Sequence, residues 1–337
     1  SAGQITEIWV AGGTYVPGQN RISNFKLVEG VKMYGGFVGN ETLLTQRVLS
    51  VANQSYLSGE IGTGLTNDNC YHVVDASNTS YLTELDGFTI TSGYANGLAP
   101  NEIGGGIYIA DGSPTVRNCT IFGNTALHGG GGVAIDGPAA LFGPTFDHCL
   151  FSQNHADEGG ALQYFGGPGG FLQATLSISG CQFVDNDAVS HGGAIRSYGD
   201  TYLTNTVIWG NSAPQGGGAV YIAGTNVDLF VKNCTIIANL STGGTGGLRA
   251  LSGANIDMRN SIAYGNTGPG LMLPIAKQIN SSGGTQTVAY SCVTPDFGNT
   301  VISGTGNIGS NPSFVSISGP DGISGNFDDN FHLTAGS

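Results

Sequence analysis

Residues 151–166 read FSQNHADEGGALQYFG, which sets His155, Asp157 and Glu158 just ahead of two glycines and a Tyr-Phe pair. Imidazole beside carboxylate is the chemistry of proton transfer near neutral pH. The pattern recurs in neighbouring stretches. Aligned on their glycine pairs, His128, Glu158, His191 and Gln215 fall in nearly the same place, just before the turn. The third position after the pair carries Gln163, Arg196 and Tyr221, with Tyr164 and Tyr198 close behind. If Ala161, Ala194 and Ala219 point into a core, strand alternation puts Gln163, Arg196 and Tyr221 outside. Glu158, His191 and Arg196 are then the candidates for acid–base work, with His128, Asp157, Gln163, Tyr164, Tyr198, Gln215 and Tyr221 as ligand-binding candidates; the set suits a sugar chain. Inverting hydrolysis needs two carboxyls roughly 6.5–9.5 Å apart, and Asp157 or Glu158 with Asp185 or Asp187 would offer such a pair from adjacent repeats. The plainer reading makes His128, Asp157, Glu158 and His191 solvated loop residues ahead of a glycine turn.

What must position these residues is a repeat. TVRNCTIFGN (115–124), TFDHCLFSQN (145–154), SISGCQFVDN (177–186), YLTNTVIWGN (202–211), FVKNCTIIAN (230–239) and DMRNSIAYGN (257–266) are one motif written six times, and LTELDGFTITSG (82–93) is a seventh copy with Gly93 in the Asn place. The closing Asn residues, 124, 154, 186, 211, 239 and 266, stand 25 to 32 residues apart. Ahead of the Cys column come Gly87, Asn118, His148, Gly180, Asn205, Asn233 and Asn260, nearly all of a type that enters the left-handed conformation readily, so a bend is expected there. A polar loop and a glycine pair opening another short strand complete each unit. The pattern predicts an all-β fold, a right-handed single-stranded parallel β-helix with three-strand coils of about 25–32 residues. It reads as one domain over 1–337, with less regular coils over 1–80, regular repeats over 81–275, and C-terminal coils and a tail over 276–337.

Composition agrees. The 58 glycines follow no collagen-like period, and hydrophobic residues still make up 39% of the 337, which suits short strands and tight turns. A net charge of −13 disfavours nucleic acid and anionic membranes, both bound mainly through Lys and Arg. No apolar run reaches the ~18 residues of a membrane helix, so no membrane insertion is expected. The opening at Ser1, without Met or a charged-then-apolar leader, reads as a mature, soluble segment.

Cysteines stand at 70, 119, 149, 181, 234 and 292. Four of them share a column with Thr206 and Ser261, and stacked parallel strands would aim their side chains alike instead of at each other, so buried free thiols are expected over disulfides. No CxxC pair is present to bind a metal. GTGNIG (304–309) fits GxGxxG by letter, but SNPSF follows it where a dinucleotide site needs a helix. Asp321, Asp328 and Asp329 in PDGISGNFDD offer hard oxygen ligands for calcium, although the EF-hand spacing is absent and a plain turn is the simpler reading; no other cofactor is expected. Sequons begin at Asn40, Asn53, Asn78, Asn118, Asn233 and Asn280, two of them at the predicted bend, which fits chance occurrence.

FSQN followed by GGAL, and FVDN followed by GGAI, resemble the FxxN and GGA[I/L/V] repeats of chlamydial polymorphic outer-membrane proteins and of many bacterial surface β-helices. EIWVAGGTYVPG, VKMYGGFVGNET and GPDGISGNFDDNFHLTAGS are similar to segments of large secreted β-helix proteins of the pectate-lyase-like superfamily. The resemblance implies an extracellular or cell-surface location, and a substrate lying along the strand face and loops that carry Glu158, His191 and Arg196. It specifies shape more than chemistry. Three functions fit: a ligand-binding or adhesive face for a polysaccharide or cell-surface glycan, a polysaccharide lyase or glycoside hydrolase in the same groove, and a passive spacer of a longer surface protein.

Overall fold

The structure, a computed structural model, describes residues 5–137, 143–166, 174–270, 273–316 and 330–334. Three parallel sheets run side by side along one axis. Face I has ten strands, from Glu7–Ala11 to Gln286–Ala289; face II has ten, from Gly13–Tyr15 to Cys292–Val293; face III has nine, from Phe25–Lys26 to Ile279–Ser281. The chain visits the faces in turn, so each coil pairs only with the coils before and after it, as the repeat predicts. A fourth, four-stranded parallel sheet lines the corner between faces II and III, made of Tyr94–Ala95, Thr125–Ala126, His155–Glu158 and Asp187–His191. Among the described residues no helix is long and apolar enough to cross a membrane.

Left-handed residues make the corners. The bend between faces I and II is at Gly87, Asn118, His148, Gly180, Asn205, Asn233 and Asn260, all with φ between 49° and 82°. A second left-handed residue, not foreseen, precedes the ladder Asn: Gly123, Gln153, Asp185, Gly210, Ala238 and Gly265. The reversed alternation puts Val116 and Ile121 in the core on either side of one bend.

The Asn residues form a buried ladder. Asn154 Nδ2 donates to Ile121 O (2.9 Å) and to Asn186 Oδ1 (3.0 Å), while the Asn154 backbone N–H donates to the same oxygen at 3.1 Å. Each rung repeats this, and the last, Asn266, donates to Gln278 Oε1 at 2.7 Å. Gln278 lies on the short helix Pro274–Gln278, so a helix caps the ladder. The Cys column is also buried. All six cysteines are free, and burial pushes the Cys119 thiol up to about 12. The column does more than fill space. The Cys149 N–H donates to Cys181 Sγ (3.3 Å) and the Cys234 N–H to Ser261 Oγ (3.0 Å), which explains why Cys and Ser interchange there.

Face III corrects one assignment. Leu162, Gln163 and Tyr164 alternate in, out, in, and Tyr164 is fully buried with its hydroxyl donating to Ala174 O at 2.6 Å. It stacks in the core beside Ile135 and Ser197, where the small Ser leaves room for the ring. Tyr164 is therefore a core residue and no part of a binding surface.

Candidate functional site

The outward side chains of face III form one row in register: Lys26, Asp75, Tyr108, Ala134, Gln163, Arg196, Tyr221, Arg249 and Asn280. Beside it, at the end of the fourth sheet, Gly129, Glu158 and His191 stand in a second row. The two rows close on each other around Arg196. Its Nε lies 2.8 Å from Glu158 Oε2 in an ion pair not aligned as a hydrogen bond, and Nη2 donates to the Tyr198 hydroxyl. The guanidinium sits 4.6 Å from the Tyr198 ring centre and 4.8 Å from that of Tyr221, within cation–π range of both. Gln163 Nε2 donates to Glu158 Oε2 at 3.3 Å, and His191 tilts against Tyr221 with ring centres 4.4 Å apart.

This packing differs from the open groove expected of the row. Gln163, Arg196 and Tyr221 are only 2%, 7% and 5% exposed, because neighbouring coils are close enough for long side chains to cover one another. Glu158, His191 and Tyr198 form the half-buried rim. Gly129 holds the place that Glu158 and His191 fill in later coils, since a Cβ there would lie 1.3 Å from Gln163 Oε1. Four polar atoms in the cluster, Gln163 Oε1, His191 Nδ1 and Arg196 Nε and Nη1, are buried without a hydrogen bond. Leaving such groups unpaired is costly, ~1–3 kcal/mol each.

Electrostatics separate the two titratable groups. Burial pushes the Glu158 carboxyl above its ordinary range against the pull of Arg196, and the Asp157 charge adds to the rise. Burial takes the His191 imidazole down to about 4, helped by the positive charges of Arg196 and Arg249. His191 is therefore neutral at physiological pH, chiefly because it is buried.

Register also moves two candidates. Gly129, not His128, lies opposite Glu158, and backbone bonding sets Gln215 beside Ser190 while Gly216 follows His191. His128 and Gln215 are thus one residue off the row, both exposed, level with Asp157, whose carboxylate accepts from Ser190 Oγ at 3.0 Å. The carboxylates expected to pair across adjacent coils each have another nearest partner or place. Glu158 faces His191, whereas Asp187 faces His155 three positions away, and Asp185 occupies the left-handed corner before the ladder. Arg249 was missed because GGLRA is offset by one from GGAIR; aligning the apolar Leu248 with Val220 would have found it. Asp321, Asp328 and Asp329 lie outside the described residues.

His155 has its own partner. Its Nδ1 lies 3.0 Å from Asp187 Oδ2, and Ser212 Oγ donates to the other carboxylate oxygen. The hydrogen bond to Asp187 raises the His155 pKa, and the same bond is the main cause that lowers Asp187. For His155, raised in the folded state, the stabilisation is full below its unfolded pKa of ~6.5 and is lost as pH rises through the folded value; for Asp187, lowered, it is full above ~3.9 and lost on acidification. The pair thus contributes between about pH 4 and 6.5, and with side chains about half exposed the amount is roughly 0.2–1 kcal/mol. In an NMR titration of the folded chain His155 will titrate above the unfolded histidine value, and Asp187→Asn will bring it to ~6.5 or below, because only burial remains. An unmoved His155 in that variant would show that the ion pair is absent in solution.

The family model for a right handed beta helix region matches residues 72–293, the part of the chain that holds the ladder, the Cys column and the Arg196 cluster. No curated protein and no solved structure matches the chain. With two thirds of its length matched and its three parallel sheets wound in that way, the chain belongs to the right-handed β-helix family.

Proposed function

We propose that this β-helix is part of an extracellular or cell-surface protein that binds a carbohydrate chain bearing acidic groups along face III. One observation carries the reading: Arg196 and Arg249 stand in register on either side of Tyr221, beside buried and unpaired polar atoms of Gln163, His191 and Arg196. Guanidinium groups recognise carboxylate or sulfate through charge-assisted hydrogen bonds, and the half-buried Arg249 is the one of the two that reaches solvent, with Arg196 and Tyr221 packed beside it. The net charge of −13 opposes an anionic polymer at long range, but charges further than ~8 Å are largely screened at physiological ionic strength.

Arg249→Ala is the test. Its side chain is half-buried and donates only to Gln215 O (3.1 Å) among the described hydrogen bonds, so the melting temperature should stay within about 2 °C of wild type. Affinity for oligogalacturonate or a sulfated glycan should fall about tenfold and become less salt-dependent. Arg196→Ala is a poorer probe, since it strands Glu158 in a half-buried place. No binding on a panel of acidic glycans, or binding indifferent to Arg249→Ala, refutes the reading and leaves the spacer function.

A second reading has its own observation, the raised Glu158 carboxyl beside a neutral imidazole. Such a pair suits acid–base cleavage of a glycosidic bond. Glu158→Gln separates the two: an enzyme loses its reducing-end or unsaturated products and keeps binding, whereas a binding module changes little.

A further inference from the structure

The bend between faces I and II is Gly, Asn or His in the regular coils, but in the last coil it is Tyr290, at φ 51°. A bulky side chain in the left-handed region is strained, and strain of this kind persists where something else requires the residue. Core packing does not require it, because the Tyr290 side chain is 61% exposed. The backbone N–H is satisfied by Thr305 O at 2.8 Å, a bond any residue would make.

Tyr290 instead borders a cleft of about 400 Å³ between the last coils and the segment that returns over them. Cys292 Sγ donates to Ser310 O at 3.2 Å and closes one side, and Gly306 brings the chain against the Tyr290 ring, where a Cβ would lie 2.6 Å from Cδ1. Among the described residues no charged side chain lines this cleft. Its walls pair apolar surface from Ile262, Pro312 and Leu333 with carboxamides from Asn260 and Asn311. Asn311 Oδ1 already accepts from the Ser313 N–H, which leaves its NH₂ to donate outward.

We infer that this cleft is a binding site for a neutral sugar unit, with Tyr290 as its stacking platform. A pyranose has an apolar C–H face and a rim of hydroxyls, which match the ring and aliphatic walls on one side and the amides on the other. The size lies in the range of small-molecule sites, and the lack of charge selects against the acidic chain proposed for face III. The site is independent of that reading, on a different edge of the solenoid.

Tyr290→Asn isolates the claim, because Asn stands at this bend in four other coils and relieves the strain. In saturation-transfer difference NMR with glucose, galactose, mannose and N-acetylglucosamine and their neutral hexamers, the wild-type chain should transfer saturation to ring C–H protons of at least one. Tyr290→Asn should reduce that affinity about tenfold, with a melting temperature unchanged or higher by about 1–2 °C. Tyr290→Phe should retain binding, and Arg249→Ala should not affect it. Silence from every neutral sugar, transfer that survives Tyr290→Asn, or indole binding in place of the sugars would overturn the assignment. So would a fall in melting temperature on Tyr290→Asn, which would make the ring a structural wedge.

Discussion

Asn186→Leu is expected to destabilise the chain by about 4 kcal/mol, although Leu has the same branched skeleton and the site is 1% exposed. Asn186 Oδ1 accepts from both the backbone N–H and Nδ2 of Asn154, at 3.1 and 3.0 Å, and its Nδ2 donates to Phe151 O and Asn211 Oδ1 at 3.0 and 2.9 Å. Leu leaves those groups buried without partners, each costing ~1–3 kcal/mol, while its greater hydrophobicity returns only part of the sum. Stability of ordinary proteins is ~5–15 kcal/mol, so such a loss is a large share of the whole. Asn233→Gly is the control. Asn233 is exposed at the left-handed bend, φ 56°, where Gly pays no steric penalty, and its change should stay within about 0.5 kcal/mol. Urea denaturation followed by circular dichroism measures both; similar small losses in the two would mean that the ladder is not what holds the coils in register.

The ladder and the bend were legible because each depends on a residue type that few others replace. A buried amide that both donates and accepts has no apolar substitute, and a left-handed corner favours Gly or Asn, so both left columns in the sequence. The second left-handed corner was not legible, since Gln153, Asp185 and Ala238 occupy it as well as glycine, and the ladder hydrogen bonds override their preference. Nor was the cap. Gln278 ends the ladder from a five-residue helix with no repeat to announce it.

The site was legible as a neighbourhood and not as a geometry. Glu158, His191, Arg196, Tyr198 and Tyr221 do meet, because residues that share a column in a parallel solenoid lie about 4.8 Å apart. Exposure was misjudged for the same reason: at that spacing Arg196 lies between two tyrosines instead of reaching into solvent. Glycine runs are poor anchors for alignment. HGGGG and GGLRA each admit a one-residue shift, and in a strand one residue exchanges inside for outside, which is how His128 entered the row and Arg249 left it.

Phe183→Ala should cost about 3–5 kcal/mol. Phe183 is fully buried, and its ring stacks on Phe151 at 4.4 Å between centres and 3° between planes; Phe146 meets Phe151 edge-on at 5.6 Å. Elsewhere this inward row holds aliphatic side chains such as Ile121, Ile208 and Ile236, so the stacked rings of two adjacent coils are confined to this part of the core. Ladder bonds on both sides fix the coil spacing, which prevents the neighbours from collapsing into the void, and that places the cost at the upper end for a large-to-small change. Phe183→Leu keeps most of the volume and should cost under about 1.5 kcal/mol. A double-mutant cycle with Phe151→Ala isolates the stack, with an expected coupling of ~0.5–1.5 kcal/mol. A coupling near zero would reduce the rings to volume alone, and a loss below about 1 kcal/mol for Phe183→Ala would mean that the coils relax along the axis despite the ladder.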